Sequence, residues 1–202
     1  MTEAERRIRC DLAACYRLVA LFGWDDLIFT HISARVPDEP DHFLINPYGM
    51  LFEEITASSL IKVDVEGNKL SESPYKVNQA GFTIHSAIHM GNHAEAVMHL
   101  HTPYGVGVST QKQGLLPVTQ MELTALGLVR YHDYEGVAFN LDERERIVQS
   151  LGGIISQETF LDEVSKNDAD KNHIVFLLTV GHHFNDRREN SDFRARWHTD
   201  EN

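Results

Sequence analysis

The chain has 202 residues, 42% of them hydrophobic and 24% charged, a composition ordinary for a folded domain with a real core. Its 30 acidic residues outnumber 18 basic ones, and the formal net charge of −12 argues against nucleic acid as a partner, because that binding needs a basic surface. No apolar run is long enough to span a bilayer and no apolar segment follows Met1–Arg7, so neither membrane insertion nor export is expected, and a cytoplasmic location is the default.

Residues 4–22 carry Ile8, Leu12, Cys15, Tyr16, Val19 and Phe22 at helical spacing, with Gly23 as a stop, and this stripe reads as core packing. Cys10 and Cys15 lie on different sides of that helix and are not expected to pair. Residues 27–36 and 42–46 read as two strands joined by the turn Pro37-Asp38-Glu39-Pro40-Asp41; residues 60–65 read as a third, closed by Glu66-Gly67-Asn68. Asn78 caps a predicted helix over 79–90 that ends at Gly91-Asn92. Its His85 and His89 are four apart and share a face. That spacing suits a metal, but the pair reads as a solvated helix surface, and His93 as part of an exposed loop.

The most informative stretch follows. Ala96-Val97-Met98 is an apolar run of buried-strand type, continued by His99-Leu100-His101. Alternate strand residues share a face, so His99 and His101 point the same way. Thr102 and Pro103 then suit the cap and first position of a helix. Ligands of open α/β sheets bind at such strand ends, and two imidazoles fixed on a rigid strand suit a divalent metal. Beyond it come a short helical stretch within 115–126, a brief strand over 128–131, and a helix from Asn140 or Asp142 through Leu151, stopped by Gly152. Residues 156–173 are polar, Ile174–Val180 is a buried-strand run, and the tail has no apolar period. The division read from this is a domain over 1–183 and a polar tail over 184–202. No GxxxxGK[ST], GxGxxG, GxSxG or CxxC motif is found.

Several runs together resemble the class II aldolase/adducin family, in its adducin-like branch. They are Phe22-Gly23-Trp24, Thr30-His31-Ile32-Ser33-Ala34-Arg35, Phe43-Leu44-Ile45-Asn46-Pro47-Tyr48-Gly49 and Thr56-Ala57-Ser58-Ser59-Leu60. Val77-Asn78-Gln79-Ala80-Gly81-Phe82-Thr83-Ile84-His85-Ser86-Ala87-Ile88, Val97-Met98-His99-Leu100-His101-Thr102 and Tyr131-His132-Asp133-Tyr134-Glu135-Gly136 continue the match in order. The resemblance implies a three-layer α/β/α domain around a mixed, largely antiparallel sheet, and a homotetramer in the catalytic members. It also implies a zinc, or another divalent metal, held by His99, His101 and a third histidine, acting as a Lewis acid on a sugar-phosphate or other small hydroxy-carbonyl substrate.

Three departures bear on that expectation. The proton-moving glutamate of the aldolases falls on Gly81, which cannot transfer a proton. The phosphate-binding serines before it are Gln79 and Ala80, while His31 stands at an asparagine position and Ser33 is kept; His31 and Ser33 are the substrate-binding candidates. The third histidine does not arrive where the family has it. His173 and His182 are the alternatives, and His182 is preferred because a ligand belongs at a strand's end. No catalytic residue is assigned; His132, Tyr131 and Tyr134 are the candidates for proton transfer, and His31 for reaching an anionic group. Three functions compete: a metal-dependent lyase of aldolase or epimerase type, a non-catalytic adducin-like assembly domain, and a metal-dependent decarboxylase.

Overall fold

Strand β1, His31–Val36, organises the fold because both of its faces are covered. The computed structural model describes residues 1–92, 94–126, 129–151 and the short strand 174–175. Along β1 the polar His31, Ser33 and Arg35 alternate with the apolar Ile32, Ala34 and Val36. The apolar side packs on helix α1, Glu3–Leu21, where Leu12, Tyr16 and Val19 meet Ile32, Ala34, Val36 and Leu44. The polar side faces helix α2, Gln79–Asn92. This gives the three-layer α/β/α arrangement. The α2 side has apolar clusters of its own beside the polar stripe, around Ile88, Val97 and Ile147 and around Phe43, Val63 and Phe82, and burying one such side chain is worth about 1.5–3 kcal/mol.

Helix α1 starts as its cap requires, with the Glu5 N–H donating to Thr2 Oγ1 at 3.1 Å. Tyr16 reaches from α1 into the sheet, where its hydroxyl accepts from the Ile32 N–H at 2.9 Å and lies against the Ile32 carbonyl. Near the helix start, buried Glu5 takes hydrogen bonds from Arg9 Nε at 2.8 Å and Lys62 Nζ at 3.2 Å. Arg9 also donates to the Leu60 carbonyl at 2.8 Å, which ties α1 to the third strand.

The sheet runs β3-β2-β1-β4-β5, with β2 Glu39–Ile45, β3 Ile61–Asp64, β4 Ala96–His99 and β5 Ile174–Val175. The first four strands pair antiparallel and β5 lies parallel to β4. His31 pairs with His99 and Ser33 with Val97. The short helices are α3 Pro103–Ser109, α4 Gln120–Ala125 and α5 Glu143–Leu151. Among the described residues, no helix is long and apolar enough to cross a membrane. Cys10 and Cys15 are unpaired.

Three sequence readings change. The first strand begins at His31, because residues 27–29 turn: Leu27 has φ +48° and the Phe29 N–H donates to the Asp26 carbonyl. The following turn is shorter than expected, centred on Asp38 at φ +65°. Glu39-Pro40-Asp41 belongs to β2, at a register shift where Pro40 need not donate. Helix α2 ends at Asn92, within the expected Gly91-Asn92 stop, and Gly91 has a packing role besides: a Cβ there would lie 2.5 Å from Val148 Cγ2, so this glycine lets α2 approach α5. Residues 129–131 form no strand. Positions 93, 127–128, 152–173 and 176–202 lie outside the described residues. With them go His93, His173, His182, most of the expected strand 174–180 and the proposed boundary at 183/184.

Candidate functional site

Two groups of imidazoles meet where β1 and β4 run side by side. The first is the H-x-H pair. His99 closes β4, and His101 follows two residues later before the Thr102 cap, whose Oγ1 accepts from the Gly105 N–H at 3.2 Å. The two Nε2 atoms converge to 2.9 Å, with the rings edge to face. Two nitrogens bound to one tetrahedral zinc at about 2.0–2.1 Å stand about 3.3 Å apart, so a small opening of this pair fits an ion. His101 Nδ1 donates to Asp26 Oδ2 at 2.9 Å, which leaves its Nε2 as a lone pair that accepts from His99 Nε2–H. A carboxylate behind a ligand histidine is the usual outer partner of a metal site. Among the described residues, no group of three or more His, Cys, Asp or Glu side chains is placed to hold an ion.

The second group lies between β1 and α2. The His31 ring stacks on His99 with centroids 4.5 Å apart. From there a relay runs inward. His31 Nδ1 lies 2.8 Å from His85 Nε2, and His85 Nδ1 lies 2.6 Å from Ser33 Oγ. Ser33 Oγ lies 2.8 Å from His89 Nε2, and His89 Nδ1 donates to the Ala94 carbonyl at 2.9 Å. His85 is 0% exposed and His89 2%, so the reading of this pair as a solvated face is wrong. Their i, i+4 spacing matches the every-second-residue spacing of His31 and Ser33, and the two polar stripes close on each other.

Burial keeps these rings neutral. It pushes His31 and His85 well below the ordinary imidazole range, helped by the neighbouring histidines. It brings His89 and His99 down to about 4, with the Arg35 charge adding to the effect at His89 and His101 at His99. Arg35 Nε donates to the same Ala94 carbonyl at 3.3 Å, and its Nη2 donates to the His89 carbonyl.

Helix α2 begins against this cluster. Asn78 Oδ1 accepts from the N–H groups of Ala80 at 3.0 Å and Gly81 at 3.2 Å. A Cβ on residue 81 would stand 2.9 Å from His31 Cδ2, so the imidazole fills the space of a side chain there. The proton-transfer candidates sit elsewhere in the hydrogen-bond pattern. His132 is buried, with Nδ1 2.8 Å from Ser150 Oγ and Nε2 3.5 Å from Glu143 Oε1. Tyr131 Oη accepts from the Leu115 N–H at 2.8 Å, and Tyr134 is largely exposed.

A family model described as the Class II Aldolase and Adducin N-terminal domain matches residues 10–161. The chain belongs to this family. A Caulobacter vibrioides protein bearing a provisional class 2 aldolase name is 64% identical over 153 residues, covering 75% of this chain and 60% of that protein. Alpha-adducin of Rattus norvegicus is 48% identical over 153 residues, covering 74% of this chain and 21% of its own length. Among solved structures, an aldolase II superfamily protein from Pseudomonas syringae superposes with a TM-score of 0.73 at 51% identity, over 75% of this chain and 62% of that one. The L-fuculose 1-phosphate aldolase of Glaciozyma antarctica superposes with a TM-score of 0.64 at 30% identity, over 73% of this chain and 58% of that one. The chain thus spans about three fifths of the curated bacterial relatives it matches. Class II aldolase/adducin membership accounts for the sheet and its flanking helices.

Proposed function

We propose that the protein is a metal-dependent lyase-type enzyme acting on a small hydroxy-carbonyl compound or sugar phosphate, with zinc or another divalent ion held by His99 and His101. The observation that carries this reading is the convergence of the two Nε2 atoms at 2.9 Å with Asp26 fixing the His101 tautomer. A purely packed histidine pair has no need of a carboxylate behind one member. His182 is the proposed third ligand, with His173 the alternative. A bound ion supplies Lewis acidity to a substrate oxygen. The chain's own residues orient the ligand nitrogens, through Asp26 on one side and the stacked His31 ring on the other.

Gly81 brings no proton-transferring group to the start of α2, which favours a chemistry that manages without one there, such as a decarboxylation, or a non-catalytic adducin-like role. Elemental analysis of untagged protein separates these. About one equivalent of a transition metal, lost in His101→Ala and in His182→Ala, supports the enzyme. Less than about a tenth of an equivalent in the wild type counts against it, because such sites bind tightly. We further propose that the chain works as a homo-oligomer, a tetramer being favoured, in the cytoplasm. A stable monomer by light scattering at micromolar concentration would refute the assembly.

A further inference from the structure

The direction of the buried relay is set by its last member. The Ala94 carbonyl can only accept, so His89 Nδ1 carries a proton. A neutral imidazole has one N–H, so His89 Nε2 is a lone pair and accepts the Ser33 hydroxyl proton at 2.8 Å. Ser33 has no second hydrogen, so its Oγ accepts from His85 Nδ1–H at 2.6 Å. His85 Nε2 is then a lone pair and accepts from His31 Nδ1–H at 2.8 Å. The chain of donations ends with a bare Nε2 on His31.

Among the described residues, no hydrogen-bond donor is placed on that nitrogen. The N–H groups of Ala80 and Gly81 are committed to Asn78 Oδ1, and that of Phe82 to the Asn78 carbonyl. Residue 81 has no side chain, and a Cβ there would stand 3.2 Å from His31 Nε2. The His31 ring is stacked on His99, so the bare nitrogen lies beside the paired-histidine site. The His31 ring as a whole is 2% exposed, and a lone pair on it is better satisfied when a donor meets it.

We propose that His31 is a substrate-positioning residue held as a permanent hydrogen-bond acceptor. The Ala94 carbonyl, acting through His89, Ser33 and His85, keeps its Nε2 bare, so the site takes a hydroxyl group there and refuses a phosphate or carboxylate oxygen. This replaces the anion-reaching role that the sequence suggests for His31. The ligand half of the proposal rests on the His99–His101 site being a substrate site; the tautomer half does not.

Nitrogen-15 NMR of histidine-labelled wild-type protein, assigned with single His→Asn variants, reads the tautomers directly and needs neither metal nor substrate. All three relay histidines are expected to carry their proton on Nδ1. A proton on His31 Nε2 in the wild type overturns the proposal, and so does a Ser33→Ala variant whose His31 signals stay at wild-type values. If Ser33→Ala does not fold, the wild-type pattern decides alone. On zinc-supplemented wild type the probes are hydroxyacetone and inorganic sulfate, whose oxygens carry no proton at neutral pH. Hydroxyacetone is expected to move the His31 Nε2 resonance and sulfate to leave it in place. Movement by sulfate overturns the ligand class. No movement by either, with the tautomer pattern intact, overturns the ligand assignment and places the failure in the substrate-site reading.

Discussion

Gly81→Ala tests the packing at the start of α2. An alanine usually improves a helix position held by glycine by up to about 1 kcal/mol. Here the added Cβ would lie 2.9 Å from Cδ2 and 3.0 Å from Cγ of His31. The ring has nowhere to go, since it is stacked on His99 and bonded to His85. Overpacking of this kind costs about 1–3 kcal/mol. If the ring swings aside instead, the buried His85 Nε2 loses its donor at a similar cost of about 1–3 kcal/mol. Net of the helix gain the expected loss is about 0–2 kcal/mol, and about 1–3 kcal/mol relative to an unhindered glycine-to-alanine change, a gap of roughly 1 M in urea midpoint at the slopes typical of small domains. Gly107→Ala in α3 is the control: nothing lies within 4 Å of its added Cβ, so it should be neutral or slightly stabilising. The double variant His31→Asn/Gly81→Ala should lose less than the sum of the two single changes, because the ring that clashes is gone. If Gly81→Ala proves as stable as Gly107→Ala, the close approach of helix and imidazole is wrong.

Asp26→Asn should weaken metal binding by about 10- to 100-fold without unfolding the chain, since only the support of His101 is lost; unchanged affinity in a metal competition assay would remove Asp26 from the site. Acid should unfold the protein through its neutral histidines. His89 titrates at about 4 when folded and near 6.5 in its ordinary range, so the unfolded chain takes up the proton first. Its contribution is complete above about 6.5 and drains towards 4 at about 1.4 kcal/mol per pH unit, with His31 and His85 shifted in the same direction. Urea midpoints at pH 7, 6 and 5 should fall steeply and less so in His89→Asn; a flat profile contradicts the neutral relay. Glu5→Ala strands the Arg9 charge in a buried setting and should cost on the order of 3 kcal/mol in the same assay, whereas a surface-like loss below about 1 kcal/mol would mean that water solvates Arg9.

The site was legible in the sequence where a residue's type and its local period carried the information. His99 and His101 could be placed together because a strand fixes alternate side chains and Thr102-Pro103 marks its end. Family membership could be read because seven short runs kept their order. Hidden from the sequence was what lay opposite each polar stripe. His85 and His89 on one helix face mean solvent by default, and only the arrival of β1 with His31 and Ser33 at matching spacing turns that face inward. Asp26 was missed because it lies 75 residues before its partner, in a turn with no periodic signal. The packing role of Gly91 was hidden for a similar reason: a glycine near the end of a helix is only a stop until the neighbouring helix and Val148 are known.

The one-way relay also constrains the order in which the chain comes together. Strand β1 meets β2 across a short turn, but its other neighbour, β4, pairs His99 with a residue 68 positions earlier in the chain (99 minus 31). Before α2 lands, water can serve His31 and Ser33; a half-landed helix would shed that water while leaving some of the groups unanswered. Landing should therefore be a single late step, with its barrier at the drying of the interface. Changes at Ser33 or His89 should then act mainly on the unfolding rate and leave the folding rate nearly unaltered, a split that stopped-flow chevrons read arm by arm.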